Sequence, residues 1–170
     1  SIEDHTCGDG VLTFQIEHQQ DELWKDFFDG VCERFCIDSI HVHHISACRE
    51  GLLLALAETA LPYRVTLHDF YYACPAVHLL KGDDTYCGAQ TDLAVCQRCI
   101  DTHPHAPRLD VAHWRETNEK ILEKAIQIIA PSDFTARTTQ AYFKKIAITT
   151  IPHATYAAET DSLPTAQTEL

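Results

Sequence analysis

Residues 62–99 read PYRVTLHDFYYACPAVHLLKGDDTYCGAQTDLAVCQRC, and this segment combines a strand signal with the densest reactive chemistry of the chain. The apolar run at 63–67 predicts a short β-strand, because β-branched and aromatic residues favour extended backbone. His68 and Asp69 follow at its carboxyl end, and four cysteines come after them. We therefore expect any chemistry of this protein to be centred on this segment.

The apolar patterns outside this segment predict strands that alternate with helices. We expect further strands at residues 11–16, 39–45, 126–130 and 146–151. We expect helices at residues 22–35, 49–60, 113–125 and 133–143. Ser132 stands where the cap of the last helix belongs. This alternation predicts a doubly wound, Rossmann-like α/β domain with a mainly parallel sheet, helices on both faces and a Cys-rich loop insertion.

Polar residues lie at or near the carboxyl ends of four predicted strands, where parallel sheets bind their ligands. The residues concerned are His41, His43, His44, His68, Asp69, Ser132 and His153. We interpret this convergence as a candidate site. A histidine at a strand end is more often a hydrogen-bonded structural residue than a catalyst, and that alternative stays open for His41, His43 and His153. Asp69 can either cap the following turn or orient and ionise His68.

Length and charge restrict the class of protein. A chain of 170 residues can build one domain with its own hydrophobic core. Its 13 basic and 25 acidic residues give a net charge of -12, which argues against nucleic acid as a partner. No apolar run reaches the roughly 18 residues of a membrane span. We expect one domain at 1–155 and a linker or disordered tail at 156–170. Because the chain begins at Ser1 and lacks methionine, we expect it to be a piece of a longer protein.

Four cysteines of the central segment have the spacing of a metal site. They follow the pattern Cys74-x12-Cys87-x8-Cys96-x2-Cys99. Four thiolates suit tetrahedral zinc better than other common metals, and a closed site of this kind would be structural. An iron–sulfur cluster, disulfides and free thiols stay open as alternatives. His78 and His103 are substitute ligands, whereas the scattered Cys7, Cys32, Cys36 and Cys48 are expected to be inert.

VTLHDFYYACPAVHLLKGDDTYCG, followed by CQRC, resembles the amino-terminal domain of group 1 glycosyltransferases, the family 4 enzymes with the GT-B fold. In that family a strand ending in His-Asp leads to a Cys-Pro and a cysteine-bearing loop. Three flanking segments agree in order, namely SIHVHHI, IIAPSDFTARTTQAYF and ITTIPHA, which resemble two further strand ends and the Pro-Ser turn into a helix. The similarity extends over residues 39–153.

The resemblance implies retaining transfer of a sugar from a nucleotide-sugar donor to an acceptor, in a cleft between two Rossmann-like domains. This domain would bind the acceptor, which is a sugar, a polysaccharide or a lipid-linked glycan, and no organic cofactor is implied. His68 and Asp69 match the catalytic positions. The remaining strand-end residues match the substrate-binding surface, and they are His41, His43, His44, Ser132 and His153. A cytoplasmic location with peripheral membrane contact fits such acceptors.

The chain also departs from the family pattern. The Gly-rich loop that normally follows the first strand is not recognisable near residues 11–18. The carboxyl-terminal donor domain is absent from the sequence, Ala76 stands where arginine is common, and Ala154 stands where glycine is common. We therefore expect the chain alone to be inactive or nearly so, because half of the transition-state contacts would be missing.

Two other functions stay open from the residues themselves. The first is a non-catalytic α/β binding module whose loop is ordered by zinc. The second is a metal-dependent hydrolase with His41, His43, His68 and Asp69 as ligands, since imidazoles with a carboxylate form open catalytic metal sites.

Overall fold

Six strands form two sheets in the residues that the computed structural model describes, namely 3–6, 12–15, 22–46, 48 and 50–153. The larger sheet is parallel and has the order β3 (Ile40–Val42), β4 (Tyr63–Thr66), β5 (Gln127–Ala130), β6 (Ile148–Thr150). The smaller sheet is an antiparallel pair, β1 (Glu3–Thr6) and β2 (Leu12–Gln15). The helices are α1 (Glu22–Arg34), α2 (Glu50–Glu58), α3 (Leu93–Thr102), α4 (Val111–Lys124) and α5 (Asp133–Tyr142). The predicted α/β class with a parallel sheet is confirmed, and the architecture is compatible with a Rossmann-like fold.

The four parallel strands follow one another in chain order without a reversal. Because crossovers between parallel strands are right-handed, this order places the connecting helices α2, α4 and α5 on the same face of the sheet. Burial of β4 agrees, since Tyr63 and Val65 are buried while Arg64 between them is exposed. The described strands therefore do not form the predicted doubly wound sheet with helices on both faces. They lack the reversal of strand order that would bring helices to the second face.

One hydrophobic core lies between the sheet and its helices. Val65 of β4 and Ile128 of β5 pack there with Leu53 of α2 and Ile121 of α4, all buried. The hydroxyl of buried Tyr63 donates to the carbonyl oxygen of Ile121 at 2.6 Å, so its polar atom is satisfied inside the core. Burial raises the pKa of Tyr63 to about 12, which keeps this donor protonated.

Helix α4 fastens the segment that leaves β4. Three consecutive carbonyl oxygens, those of residues 71, 72 and 73, each accept a hydrogen bond from an α4 side chain. Trp114 donates to the carbonyl oxygen of Tyr71 at 2.9 Å, Asn118 to that of Tyr72 at 3.0 Å and Arg115 to that of Ala73 at 2.9 Å. The segment has no strand partner at this point, so these side chains replace the backbone partners that a sheet would supply.

Three described helices begin at a polar cap. The side chains of Asp92, Asp110 and Ser132 accept from the amides of Val95, His113 and Thr135. The predicted cap at Ser132 is thereby confirmed. The cap at Asp92 opens α3, which contains Cys96 and Cys99, so this part of the predicted Cys-rich loop insertion is helical. Helix α3 buries little apolar surface, because Ile100 is its buried residue while Leu93 and Val95 are exposed.

Other predicted boundaries shift in ways that affect the site. The strand predicted at 39–45 ends at Val42, so His43 and His44 lie beyond it. The strand predicted at 11–16 exists at Leu12–Gln15, but it pairs with β1 rather than joining the parallel sheet. The predicted tail at 156–170, Cys7 and Ala154 lie outside the described residues. Among the residues described, no helix has the length and apolar character that crossing a membrane requires.

Replacement of Asn118 tests the attachment of this segment to α4. Asn118 is 0% exposed, and its amide group is the partner of the Tyr72 carbonyl oxygen. Asn118→Leu keeps the number and branching of the side-chain heavy atoms but leaves that carbonyl without its partner, so we expect a loss of about 1–3 kcal/mol in the free energy of unfolding. Urea denaturation measures it. Lys120→Ala, at an exposed position of the same helix, should leave the midpoint unchanged, and an Asn118→Leu midpoint equal to wild type would contradict the assigned role.

Candidate functional site

The carboxyl edge of the parallel sheet gathers most of the predicted site residues. His43 and His44 follow β3, His68 and Asp69 follow β4, and His153 follows β6. Because neighbouring parallel strands end at the same edge, residues distant in sequence become neighbours there. The geometry confirms the predicted convergence of these side chains.

Three imidazoles form a row along this edge. The Nδ1 of His43 and the Nε2 of His68 are 3.1 Å apart, and their rings stack at a centroid distance of 5.3 Å. The ring of His153 lies 6.4 Å from that of His68 and is nearly parallel to it. A hydrogen bond between two ring nitrogens needs one donor and one acceptor, so His43 and His68 share a single proton between those nitrogens. His68 keeps one ring nitrogen that His43 does not occupy.

His41 differs from the other histidines because it lies within β3. Its side chain is on the face of the sheet opposite the core, where its Nε2 is 2.8 Å from the hydroxyl of Thr66. Its ring contacts that of His43 at a centroid distance of 4.1 Å. His41 therefore packs against His43 and forms a hydrogen bond within the sheet. This geometry fits the structural role that the sequence left open for His41.

Asp69 contacts His44 rather than His68. One carboxylate oxygen lies 2.7 Å from the Nε2 of His44, and the other accepts from the amide of Tyr71 at 2.8 Å. Of the two roles left open for Asp69, the structure shows the cap of the following turn, and Asp69 makes no hydrogen bond to His68. The Nδ1 of His44 accepts from the amide of Ser46 at 3.0 Å, so the proton of neutral His44 is on Nε2 and points to Asp69.

Burial and neighbouring imidazoles control the charge of the edge. Burial lowers the pKa of His68, the nearby His43 and His153 lower it further, and Asp69 opposes them. Burial and the proximity of His43 also lower the pKa of His41. His68 is therefore mainly neutral near neutral pH and can exchange hydrogen bonds with hydroxyl groups.

Ser132 reaches the edge but is engaged in capping. Its hydroxyl is 3.1 Å from that of Thr135 and accepts from the Thr135 amide. Beside it, Phe134 in the first turn of α5 is 55% exposed and meets the ring of Phe70 edge-on at 6.1 Å. The edge therefore combines polar imidazoles with an exposed aromatic surface.

The four predicted ligand cysteines line one cavity of about 450 Å³ next to this edge. They are Cys74, Cys87, Cys96 and Cys99. The substitute ligands His78 and His103 are not among its lining residues, and the Nδ1 of His103 accepts from the amides of His105 and Ala106. All cysteines in the described part are free thiols. In that part of the chain, no group of three or more His, Cys, Asp or Glu side chains is arranged to hold a metal ion.

Two of these thiols are poor nucleophiles as they stand. Burial raises the pKa of Cys74 to about 11 and also raises the pKa of Cys99. A thiol attacks as its thiolate, so neither of these two groups is activated for covalent catalysis at neutral pH.

Arg115 is the residue of this region that sequence analysis missed. Its guanidinium donates to the Sγ of Cys96 at 3.1 Å and lies 4.7 Å from the ring centroid of Tyr142. Its position could have been suspected, because it occupies the same stripe of α4 as Val111, Asn118 and Leu122, which are buried. A charged residue on a buried stripe indicates a specific partner.

Comparisons with known proteins do not identify a family for this chain. Family models, curated proteins and solved structures were all compared, and none matches. The glycosyltransferase resemblance therefore depends on the motifs at residues 39–153 and on their order.

Titration of the imidazoles by NMR tests the electrostatics of the edge. We expect the midpoint of His68 below its ordinary value of 6.5, and that of His113, which is bonded to Glu50, above it. An imidazole whose pKa is lowered by folding binds protons better in the unfolded chain, so its contribution to stability is lost as pH falls from 6.5 through the lowered value. The contribution of His113 has the opposite sign and is lost as pH rises through its raised pKa.

Two variants separate the causes of the His68 shift. His43→Gln removes one like-charged neighbour, so the His68 midpoint should rise while staying below 6.5, because burial is the largest cause. His113→Gln serves as the control and should not move it. A His68 midpoint above that of His113 in the wild-type chain would refute the described environment.

Proposed function

We propose that this chain is the acceptor-side domain of a retaining glycosyltransferase that uses a nucleotide-sugar donor. The observation that supports the proposal most is the position of His68. It stands at the carboxyl end of a parallel strand, among other imidazoles, within the His-Asp motif that resembles the family. The donor's nucleotide and phosphates would be bound by a second domain across the cleft.

The chemistry of His68 suits such a reaction. Glycosyl transfer passes through a transition state with positive charge on the sugar ring. A cationic imidazole beside that ring would oppose the charge, whereas the lowered pKa keeps His68 neutral. A neutral imidazole can donate to or accept from a sugar hydroxyl, and in the proposed complex the ring nitrogen that His43 leaves unoccupied makes this bond.

The surroundings of His68 fit a carbohydrate acceptor. Exposed Phe134 and half-buried Phe70 offer aromatic surface at the same edge, and the faces of sugar rings are apolar enough to pack on such rings. His44, held by Asp69, and His153 supply further polar groups. A sugar, polysaccharide or lipid-linked glycan would thus meet both kinds of group that a carbohydrate site needs.

The described geometry favours transfer over metal-dependent hydrolysis. Each of the four ligands considered for a hydrolase already has a hydrogen-bond partner: the Nε2 of His41 bonds Thr66, His43 and His68 bond each other through one ring nitrogen each, and Asp69 bonds His44. A metal centre that used these same atoms would require the bonds to be broken. The non-catalytic binding module differs from the transferase in turnover, so an activity assay distinguishes them.

The test measures transfer with a panel of nucleotide sugars and glycan acceptors. We expect no turnover by the 170-residue chain alone, since donor contacts are missing, and turnover by the complete reading frame that encodes it. In the complete protein, His68→Ala should reduce kcat/KM by about two to three orders of magnitude. His113→Ala, an exposed histidine on α4, is the matched control and should retain activity.

Two results would contradict the proposal. Normal turnover by the chain alone would remove the need for a donor domain. A reading frame without a second domain, combined with glycan binding that perturbs the His68 resonances but no turnover, would instead identify a binding module.

A further inference from the structure

Four thiols from three separate pieces of backbone meet at the cavity beside the site. Cys74 lies in the turns after β4, and Cys87 follows the short antiparallel bridge between Leu80 and Tyr86. Cys96 and Cys99 are one turn apart on α3, so they share a face of that helix. The cavity of about 450 Å³ is lined by all four.

The chain turns tightly next to one of the loop cysteines. After Cys87, residues Gly88 and Ala89 both have positive φ, at 72° and 54°. Tight turns of this kind direct amides into small concavities that stabilise anions, and many metal–thiolate sites use them.

A fixed cation stands next to the cluster. Arg115 donates to Cys96 Sγ at 3.1 Å, and its other nitrogens are held by the carbonyl oxygens of Ala73 at 2.9 Å and Thr91 at 3.0 Å. Zinc with four thiolates carries a net charge of minus two, and a cavity wall is a costly place for that charge. Arg115 would offset part of it through a charge-assisted hydrogen bond to one ligand.

We propose that Cys74, Cys87, Cys96 and Cys99 bind one structural zinc ion, with Arg115 as a positioning residue for the Cys96 thiolate. Four S–Zn bonds replace four S–H bonds, and the released protons pass to the buffer. The four thiols line the same cavity but are not centred on one point, so zinc binding would include a rotation of the cysteine side chains toward the middle of the cavity. Thiolates select zinc over harder divalent metals.

The proposed zinc ion would stabilise the segment between β4 and α3. Between β4 and α3 the described chain forms turns and one isolated bridge but no helix or strand. A metal that joins Cys74 and Cys87 to α3 would fix this segment, which begins at His68. The proposal does not depend on the proposed transferase activity, because a structural site would serve a binding module equally well.

Metal analysis of the chain, purified in reductant without chelator, tests the site directly. We expect about one zinc per chain, and cobalt(II) added to the metal-free chain should give the visible absorption of a tetrahedral thiolate complex. Removing zinc should lower Tm. Cys87→Ser and Cys99→Ser should each lose the metal, while Cys36→Ser, at an exposed cysteine outside the cavity, should retain it.

The zinc affinity of Arg115 variants provides a second test, which a general loss of folding would not reproduce. Arg115→Gln should weaken zinc affinity by about 10–100-fold, the usual effect of losing an outer partner, and Arg115→Lys should recover part of it. Arg137→Gln, an exposed arginine on α5, is the control and should bind zinc normally. Iron with visible cluster absorption, cysteines joined in disulfides, or four freely titrating thiols in a zinc-free chain would each overturn the proposal, as would unchanged zinc affinity in Arg115→Gln.

Discussion

The hydrogen bonds from α4 to three successive carbonyl oxygens, those of Tyr71, Tyr72 and Ala73, are the constraint on which the functional region depends. A chain leaving a central strand toward a long irregular segment has no backbone partner of its own. Here one helix supplies an indole, an amide and a guanidinium in its place. The same attachment fixes His68 and Asp69 on one side and Cys74 on the other, so edge and cavity share a support.

Sequence patterns predicted the parts of this architecture that burial controls. The strand leading to His68 and the helices at 49–60, 113–125 and 133–143 follow apolar periodicity, and their observed bounds differ from the predicted ones by at most two residues. The cap at Ser132 and the convergence of polar strand ends were predictable for a related reason, because local side-chain chemistry and parallel strand direction determine them.

Other features depend on contacts that no local pattern encodes. Helix α3 buries little besides Ile100, and it lies inside the segment whose cysteine spacing indicated a metal-bound loop, so the helix was not predicted although Asp92 stands at its cap. Asp69 bonds His44 rather than adjacent His68, because the chain segments that follow the neighbouring strands β3 and β4 bring these two residues together at one edge of the sheet. The bond between Arg115 and Cys96 joins two helices and required the tertiary structure.

The shared proton of His43 and His68 has a further consequence for how this edge would recognise a ligand. If the Nδ1 of His43 and the Nε2 of His68 both carried a proton, the hydrogen bond between the two rings would be lost. A proton on the Nδ1 of His44 would likewise break its bond to the Ser46 amide. The edge is therefore rich in imidazole but poor in positive charge. Recognition there would depend on the direction of hydrogen bonds and on aromatic packing rather than on Coulomb attraction, so an uncharged ligand would be held with little sensitivity to ionic strength.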